Sequence, residues 1–384
     1  MEIQDTDIRQ LLDKITALRH ELHKIPEVSM KEHKTKQKIM SFIAENTQLD
    51  IVDCGFWFYV VKKADEHKKG AIAFRADMDA VCGKDGLYGH YCGHDGHSSI
   101  LAGLALVLAD KKTDRDVYLI FQPGEETGEG AKICSQLIVD KNIEEIYGLH
   151  NIPGHARGNI IVSEGTFACA STGLEISMHG TPSHAAYPEA GRNPGPALAK
   201  LLLDVEDLTE RVNEHEGFVL MTLIGLEAGS SSYGVAASEG VLRLTVRGER
   251  EYVFESYINR IAELAVSAAH RVGVTVDVRQ IERFPATENH HENVQRIISC
   301  ADRLGLTVDK LHKPMRWSED FGYYLMRTGG AFFGVGDGEA YAQLHTQEYE
   351  FPDGIMENAI ALFAERDMNI NSGHKSCIIS LIQS

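Results

Sequence analysis

The densest set of residues that could do chemistry lies in one short segment, Tyr91–His97, which reads Tyr-Cys-Gly-His-Asp-Gly-His. Thiolate and imidazole groups both bind zinc, and a carboxylate can bind a metal or orient an imidazole. The flanking glycines favour a loop. The segment therefore predicts a metal-binding loop. The alternative interpretation is a glycine-rich turn before a helix that begins at Ser98, with a helix cap and a buried thiol.

A second candidate is the pair Glu125 and Glu126, which follows an apolar run and Pro123. Two adjacent carboxylates could divide the work of hydrolysis, one as a metal ligand and one as general base toward a bound water. A solvated acidic turn is the usual role of such a pair. The preceding apolar run keeps both interpretations open.

Three histidines are weaker candidates when each is considered alone. His150 ends an apolar run, and His345 follows a glycine-rich turn at 334–338. His184 lies between Pro182 and Pro188, which favour a stiff, irregular loop. It could donate a hydrogen bond to a developing oxyanion. The alternative is an exposed turn in which His184 has no chemical role.

The elements that would position these residues follow from the apolar pattern. Three runs are typical of strands buried on both faces, and Ser98–Ala109 has the length and composition of a buried helix. This alternation predicts a mostly parallel sheet covered by helices, and sites in such sheets form beyond the carboxyl ends of the strands. The runs and the polar segments that follow them are Ala71–Phe74 with Arg75–Asp79, Val117–Phe121 with Gln122–Glu126, and Ile146–Leu149 with His150–Asn151.

From about Ala170 the pattern changes to β-α-β-β-α-β, which is the ferredoxin-like order. We predict an inserted domain at 172–281, and a first domain formed by 1–171 and 282–384. A helix at Asn293–Leu304 and a strand at Ala331–Val335 would complete the first sheet. The strands of the insertion are predicted at Thr172–Met178, Gly217–Leu226, Gly240–Arg247 and Val274–Ile281, and its helices at Pro196–Arg211 and Glu255–Arg271.

Composition argues against nucleic-acid binding and membrane association, and it bears on the location of the protein. The 384 residues carry a formal net charge of −18, so no basic surplus is available for nucleic acid or for anionic membranes. The amino-terminal segment is charged and amphipathic, unlike a signal peptide, and no apolar run reaches the length of a membrane span. Seven scattered cysteines are unlike a disulfide framework and favour a reducing compartment. We expect a cytoplasmic protein.

Taken together, these segments resemble the metallopeptidase family of aminoacylases, carboxypeptidase G and succinyl-diaminopimelate desuccinylase. Within it they are most similar to the branch of hippurate hydrolase, auxin-conjugate amidohydrolases and N-acetyldiaminopimelate deacetylase. The resemblance implies an aminopeptidase-like α/β catalytic domain, with three layers and a mixed, mostly parallel sheet, and an inserted ferredoxin-like lid or dimerisation domain. The matching segments, in family order, are Arg75–Asp79, Cys92–His97, Gln122–Glu126, Gly148–His150, Ser183–Pro188, Ser318–Phe321 and Leu344–His345.

The resemblance also implies residue roles at a site with two divalent metal ions. Zinc suits the thiolate and imidazoles, with manganese, cobalt or nickel as alternatives. Glu125 would be the general base, Asp79 would orient a ligand, and His184 would be an oxyanion donor, in this subunit or in a neighbouring one. The implied metal ligands are Cys92 as the bridge, His94 and His345 on one side, and Glu126 and His150 on the other side or shared.

The expected function is hydrolysis of the amide bond of small N-acyl amino acids by a homodimer or higher homo-oligomer. Two alternatives stay open: a dipeptidase of the same fold, and a metal-binding homologue without activity. The presence of Glu125 beside Glu126 argues against the second, because a structural metal site needs no base. The loop at 80–83 and Gly234 depart from the family pattern, which bears on the choice of substrate.

Overall fold

The structure is a computed structural model that describes residues 5–84 and 86–368. The described chain forms two compact units. The first comprises the described residues up to Phe167, Asn289–Lys313 and those from Asp320 onward, and the second comprises Ala168–Glu288 and Pro314–Glu319. The predicted insertion, 172–281, lies within the second unit, and the segment 314–319 is an addition to that range. The tail at 369–384 lies outside the described residues.

The elements are as follows. The helices are α1 (Asp5–Leu22), α2 (His33–Asn46), α3 (His94–Ala109), α4 (Gly130–Cys134), α5 (Gln136–Asp140), α6 (Gly195–His215), α7 (Glu251–Val272), α8 (His291–Leu304), α9 (Gly322–Leu325) and α10 (Met356–Met368), with 3-10 turns at Pro188–Ala190 and Asp353–Ile355. The strands are β1 (Asp50–Asp53), β2 (Phe58–Lys62), β3 (Ala71–Asp77), β4 (Val81–Cys82), β5 (Tyr88–Gly89), β6 (Val117–Gln122), β7 (Ile143–Pro153), β8 (Ile160–Val162), β9 (Ala170–His179), β10 (Ser183–His184), β11 (Val219–Ala228), β12 (Val235–Ala236), β13 (Glu239–Gly248), β14 (Thr275–Phe284), β15 (Val308–Lys310) and β16 (Gly329–Gly338).

The first unit is built on an eight-stranded sheet with the order β1-β2-β6-β3-β7-β16-β8-β15. Its central strands β6, β3, β7 and β16 are parallel, whereas β1 and β2 are antiparallel additions at one edge and β8 is antiparallel to β16. In register, Phe74 of β3 lies between Leu119 of β6 and Tyr147 of β7. The three apolar runs of the sequence are therefore three adjacent strands, whose carboxyl ends lie at one edge.

Helices cover this sheet on both faces. Ile72 and Phe74 point to one face, where they share an apolar cluster with side chains of α1, α2, α3, α8 and α10. Because side chains alternate along a strand, Arg75 points to the opposite face. On that side α4, α5 and α9 contact β6, β7 and β16. The predicted three-layer α/β class with a mixed, mostly parallel sheet is confirmed.

The second unit has a four-stranded antiparallel sheet with the order β11-β13-β9-β14. Alternate residues of β9, Leu174, Ile176 and Met178, are buried in an apolar cluster with α6 and α7. The chain order β9-α6-β11-β13-α7-β14 is the predicted ferredoxin-like order. Within the described part of the chain, no helix combines the length and the apolar character that a bilayer span requires.

Candidate metal centre

A cysteine and two histidines from distant parts of the chain converge in the first unit. The Sγ atom of Cys92 lies 3.4 Å from Nε2 of His150 and 3.2 Å from Nε2 of His345. Cys92 precedes α3, His150 lies near the carboxyl end of β7, and His345 follows β16. Cys92 and His150 are buried, whereas His345 is exposed. Sulfur and imidazole donors in this arrangement are suited to a transition metal.

Glu126 and His94 extend this group of donors. The Oε1 atom of Glu126 lies 3.4 Å from Nε2 of His345 and 3.7 Å from Nε2 of His94. Among the described residues, neither Glu126 Oε1 nor His94 Nε2 has a hydrogen-bond partner, although both atoms are buried. A buried polar atom without a partner destabilises a fold. A cation between them would satisfy both atoms, so the residues present fit a metal ion.

Hydrogen bonds at Nδ1 fix the orientation of two imidazoles, those of His94 and His150. Nδ1 of His94 lies 3.0 Å from the carbonyl oxygen and 3.1 Å from Oδ1 of Asp79, and Nδ1 of His150 lies 2.7 Å from the carbonyl oxygen of Asn151. Nδ1–H must be the donor in each case, because these oxygens accept. When the ring is neutral, Nε2 then carries the lone pair that a metal needs.

The charges around the site also favour a cation. Burial raises the pKa of the Cys92 thiol well above its ordinary value, and the carboxylates of Glu126 and Glu125 raise it further. Burial lowers the pKa of His94, but the charges of Asp77, Asp79 and Glu126 outweigh it and raise the pKa to about 10. Both groups therefore retain protons in the apoprotein. A bound divalent cation reverses this preference, since it favours the thiolate and the neutral imidazole.

Asp79 contacts two of the candidate ligands. Its Oδ1 atom faces Nδ1 of His94, and its Oδ2 atom accepts hydrogen bonds from the backbone N–H of Glu126 at 3.0 Å and from the Ser29 hydroxyl at 2.7 Å. Burial acts to raise the pKa of Asp79, but these hydrogen bonds and the charge of His94 lower it overall. Asp79 is therefore held as a carboxylate beside His94.

The helix α3 begins at His94, four residues before the predicted start at Ser98. Gly93 caps it with φ 95°, a left-handed conformation that favours glycine, and a Cβ atom there would lie 2.5 Å from Oδ1 of Asn151. The prediction of a loop through His97 was therefore wrong for its second half. Placing His94 in the first turn of a helix gives its ring a rigid support.

His345 has an unusual backbone conformation, with φ 60°. A non-glycine residue in this left-handed region costs of order 1–3 kcal/mol, and such residues cluster at functional sites. The backbone N–H of His345 donates to the carbonyl oxygen of Tyr91 at 2.8 Å. This bond ties His345 to the turn that carries Cys92.

Glu125 lies beside these donors and forms a further group of possible metal ligands with His94 and Glu126. Its side chain is buried, and its Oε2 atom lies 3.9 Å from Nε2 of His94. Gly124, the second residue after β6, has a φ of 59° and turns the chain. Glu125 and Glu126 therefore both lie at the carboxyl end of that strand. Both carboxylates thus lie within 4 Å of Nε2 of His94, and that of Glu126 also lies 3.4 Å from Nε2 of His345.

Sequence analysis missed a buried array beneath the site. The ring nitrogens of His97 lie 2.7 Å from Oδ1 of Asp77 and 2.6 Å from Oδ1 of Asn151. Asn151 in turn donates to Asp337 at 3.1 Å. A signal was present: Arg75 and Asp77 alternate along β3, and strand periodicity would have predicted that these two polar residues share a face.

His184 lies in the second unit, whereas the donors described above lie in the first. Strand β10 pairs with β12, so that His184 is opposite Val235 and next to the loop that holds Gly234. The ring is exposed. The backbone N–H of Ala186 donates to Nδ1 of His184 at 3.1 Å, which leaves the ring proton on Nε2. His184 can therefore donate from Nε2.

The model of peptidase family M20/M25/M40 matches residues 73–365 of this chain. The chain belongs to this family. The match extends from β3 to α10 and includes all the candidate ligands. The predicted family and class of enzyme, a hydrolase of amide bonds, are confirmed.

Curated relatives match over most of their length. N-acetyldiaminopimelate deacetylase of Lactococcus lactis subsp. cremoris is 26% identical over 366 residues, which cover 89% of this chain and 95% of that protein. The enzyme of the same name from Leuconostoc mesenteroides subsp. mesenteroides is 28% identical over 374 residues, which cover 91% and 96%.

Solved structures share the fold. The YXEP protein of Bacillus subtilis, a dinuclear metal-binding peptidase of family M20, superposes with a TM-score of 0.80 at 22% identity and covers 98% of this chain and 99% of that one. At this identity the likeness establishes the fold. The shared fold extends over nearly all of this sequence.

Proposed function

We propose that this M20 protein is a deacylase that hydrolyses the amide bond of small N-acyl amino acids with the help of bound metal ions. The observation that carries the proposal is the position of Glu125, a buried carboxylate 3.9 Å from His94 and adjacent in sequence to the candidate ligand Glu126. A site that only held metal would need no such base. The name shared by the curated relatives, N-acetyldiaminopimelate deacetylase, supports an N-acyl substrate.

We further propose that the site takes two divalent ions. Two overlapping groups of donors support this, since one ligand atom from each member lies within 4.8 Å of the others in each group. Cys92 belongs to both groups, and its thiolate together with the imidazoles favours zinc, with manganese, cobalt or nickel as alternatives. The groups are Cys92, His94 and His150, and Cys92, Glu126 and His345.

In the proposed mechanism, Glu125 takes a proton from the water that attacks the amide carbon and returns it to the departing amine. Bound divalent ions supply Lewis acidity, which polarises a carbonyl and lowers the pKa of water. Asp79 holds the His94 ring, and the carbonyl of Asn151 holds the His150 ring. His184, from this chain or from a second copy, donates from Nε2 to the negatively charged oxygen.

We also propose a homodimer formed through the second unit. Strand β11 is an edge of the four-stranded sheet, and Leu223, Ile224 and Leu226 on it are exposed. A register shift between Leu223 and Gly225 turns neighbouring apolar side chains outward. Long apolar edge strands pair readily with another chain.

We also propose a cytoplasmic location. The described cysteines, all free, support it.

A hydrolysis panel tests the proposed substrate class. Purified protein, loaded in turn with zinc, manganese, cobalt or nickel, is assayed with N-acetyl, N-benzoyl and longer N-acyl amino acids and with dipeptides. We expect the highest kcat/KM on an N-acyl amino acid and a kcat lowered by about 10²–10⁴-fold in the Glu125→Gln variant. A preference for dipeptides would support the alternative peptidase. Absence of hydrolysis with every metal would contradict both.

A further inference from the structure

A basic groove lies at the end of the large sheet opposite the candidate metal centre. It has a volume of about 660 Å³ and includes residues just before β3 and β6 and at the start of β7. Along β7, Glu145 at the groove is five residues from His150, about 17 Å at the rise of a strand. Six cations line it and define what we call the basic groove: Lys68, Lys69, Arg115, Arg296, Arg303 and Arg366.

The groove reverses the charge balance of the chain. The protein has 38 basic and 56 acidic residues, yet only Glu144 and Glu145 oppose the six cations among the groove-lining residues. Glu145 alone faces three guanidinium groups: that of Arg296 at 2.8 Å, that of Arg115 at 3.4 Å and that of Arg366. Arg296 and Arg115 each have one further, longer contact with a carboxylate, that of Glu292 at 3.7 Å and that of Asp114 at 3.8 Å.

The other cations have acidic neighbours outside the groove lining. Lys68 pairs with Glu66, Lys69 with Asp114, and Arg303 with Glu365. Glu66 and Lys68 are exposed, and pairs of this kind are held weakly. Lys68 can therefore turn toward an incoming anion at little cost, whereas Arg303 is held by a buried carboxylate.

Two buried donors in the groove lack an acceptor. The Nε atoms of Arg115 and Arg366 have no hydrogen-bond partner within the described residues, and both side chains are more than nine-tenths buried. Nε of Arg115 lies 3.8 Å from the nearest oxygen of Asp114, too far for a hydrogen bond. Native proteins rarely leave buried donors unsatisfied. The two guanidinium groups therefore retain unused hydrogen-bonding capacity beside the groove.

We propose that the basic groove binds a small anion with two or three negative charges, such as a phosphate or a tricarboxylate. Guanidinium groups match the planar oxygens of such ions with paired hydrogen bonds. No aromatic side chain is among its described lining residues, so the groove offers no surface for a nucleobase to stack on. The groove is a second ligand site, separate from the metal centre and from the proposed deacylation.

Isothermal titration calorimetry of the metal-loaded protein at low ionic strength tests the proposal, with inorganic phosphate and propane-1,2,3-tricarboxylate as separate probes and chloride as the control. We expect saturable binding of at least one probe. The double variant Lys69→Gln/Arg296→Gln should weaken it about tenfold or more, as expected for loss of charge-assisted hydrogen bonds. Glu144→Gln, which removes an opposing carboxylate, should strengthen it.

Matched controls separate the groove from other anion sites. Lys200→Gln/Arg211→Gln removes the same charge from α6 in the second unit and should leave the affinity unchanged. Binding that persists equally in the groove variant would assign the anion to another site and overturn the proposal. So would the absence of binding by the wild-type protein. Unchanged circular dichroism and N-acyl hydrolysis by the variants establish that they are folded.

Discussion

The Sγ atom of Cys92 lies 3.2 Å from Nε2 of His345, although 253 residues separate the two in the chain. The backbone N–H of His345 also donates to the carbonyl oxygen of Tyr91, the residue before Cys92. The two segments are therefore held together by a backbone hydrogen bond as well as by the side-chain contact. Between the two residues the chain completes the large sheet and the whole second unit. Cys92 and His345 can therefore lie this close only when the first unit is folded.

Replacing Cys92 with serine should remove most of the bound metal, because Cys92 belongs to both groups of donors. Inductively coupled plasma mass spectrometry of the purified variant measures the metal per chain. Cys134→Ser is the matched control, since Cys134 is equally buried but lies in α4 and outside both groups. Equal metal content in the two variants would remove Cys92 from the proposed ligands.

Exchanging the two neighbouring glutamates for glutamine should have different effects. Glu125→Gln is expected to retain metal and to lower kcat by about 10²–10⁴-fold, the usual contribution of a general base. Glu126→Gln is expected to lose metal, because its carboxylate lies between His94 and His345. Metal analysis and steady-state kinetics on both variants check this. Loss of metal from Glu125→Gln alone would exchange the two proposed roles.

The variant His184→Ala should lower kcat by roughly 10²–10³-fold, the loss typical of one oxyanion donor. Metal content should stay at the wild-type level, because His184 belongs to the other unit. His179→Ala provides the comparison, as His179 is an exposed histidine on β9 of the same unit. An increase of KM without a change of kcat would indicate uniform substrate binding instead.

A buried ion network on the sheet predicts a large effect on stability. Oδ1 of Asp320 accepts from Nη2 of Arg75 at 2.8 Å, and neither side chain is accessible to solvent. Asp320→Ala leaves the Arg75 charge undercompensated, so the free energy of unfolding should fall by about 3–5 kcal/mol. Glu21→Ala, which breaks the exposed pair with Lys38, should change it little. Urea denaturation compares the two variants.

Glu145 predicts a dependence of stability on acid pH. Burial acts to raise its pKa, but Arg366, Tyr147 and Arg296 outweigh burial and lower the pKa to about 2 from 4.5. Because the pKa of Glu145 is lower in the folded state, its carboxylate stabilises the fold at pH values above its pKa in the unfolded state. This stabilisation is lost as the pH falls from about 4.5 toward 2. The contribution is on the order of 3 kcal/mol.

Urea denaturation across this pH range should therefore show a shallower acid dependence for Glu145→Gln than for the wild type. Glu45→Gln, at an exposed position of α2, is the control and should follow the wild-type curve. Parallel curves for all three proteins would show that Glu145 titrates alike in the folded and unfolded states.

Local patterns were sufficient to predict much of the architecture. The apolar runs at 71–74, 117–121 and 146–149 are short and bounded by polar residues, and they are the central strands β3, β6 and β7. The four long strands and two helices of the second unit were predicted in their correct order for the same reason. Burial periodicity is a property of neighbouring residues, so the sequence displays it directly.

The sequence by itself thus determined which residues end the central strands, and with them the family. Only the tertiary structure decided how these residues meet. At the start of α3, Gly93 lies so near Asn151 that a Cβ atom there would clash, and the pairing of His97 with Asp77 depends on packing between a helix and a strand. The basic groove combines segments that are more than 200 residues apart. Contacts of this kind follow from strand order and helix packing. Local sequence periodicity does not predict them, because it depends only on neighbouring residues.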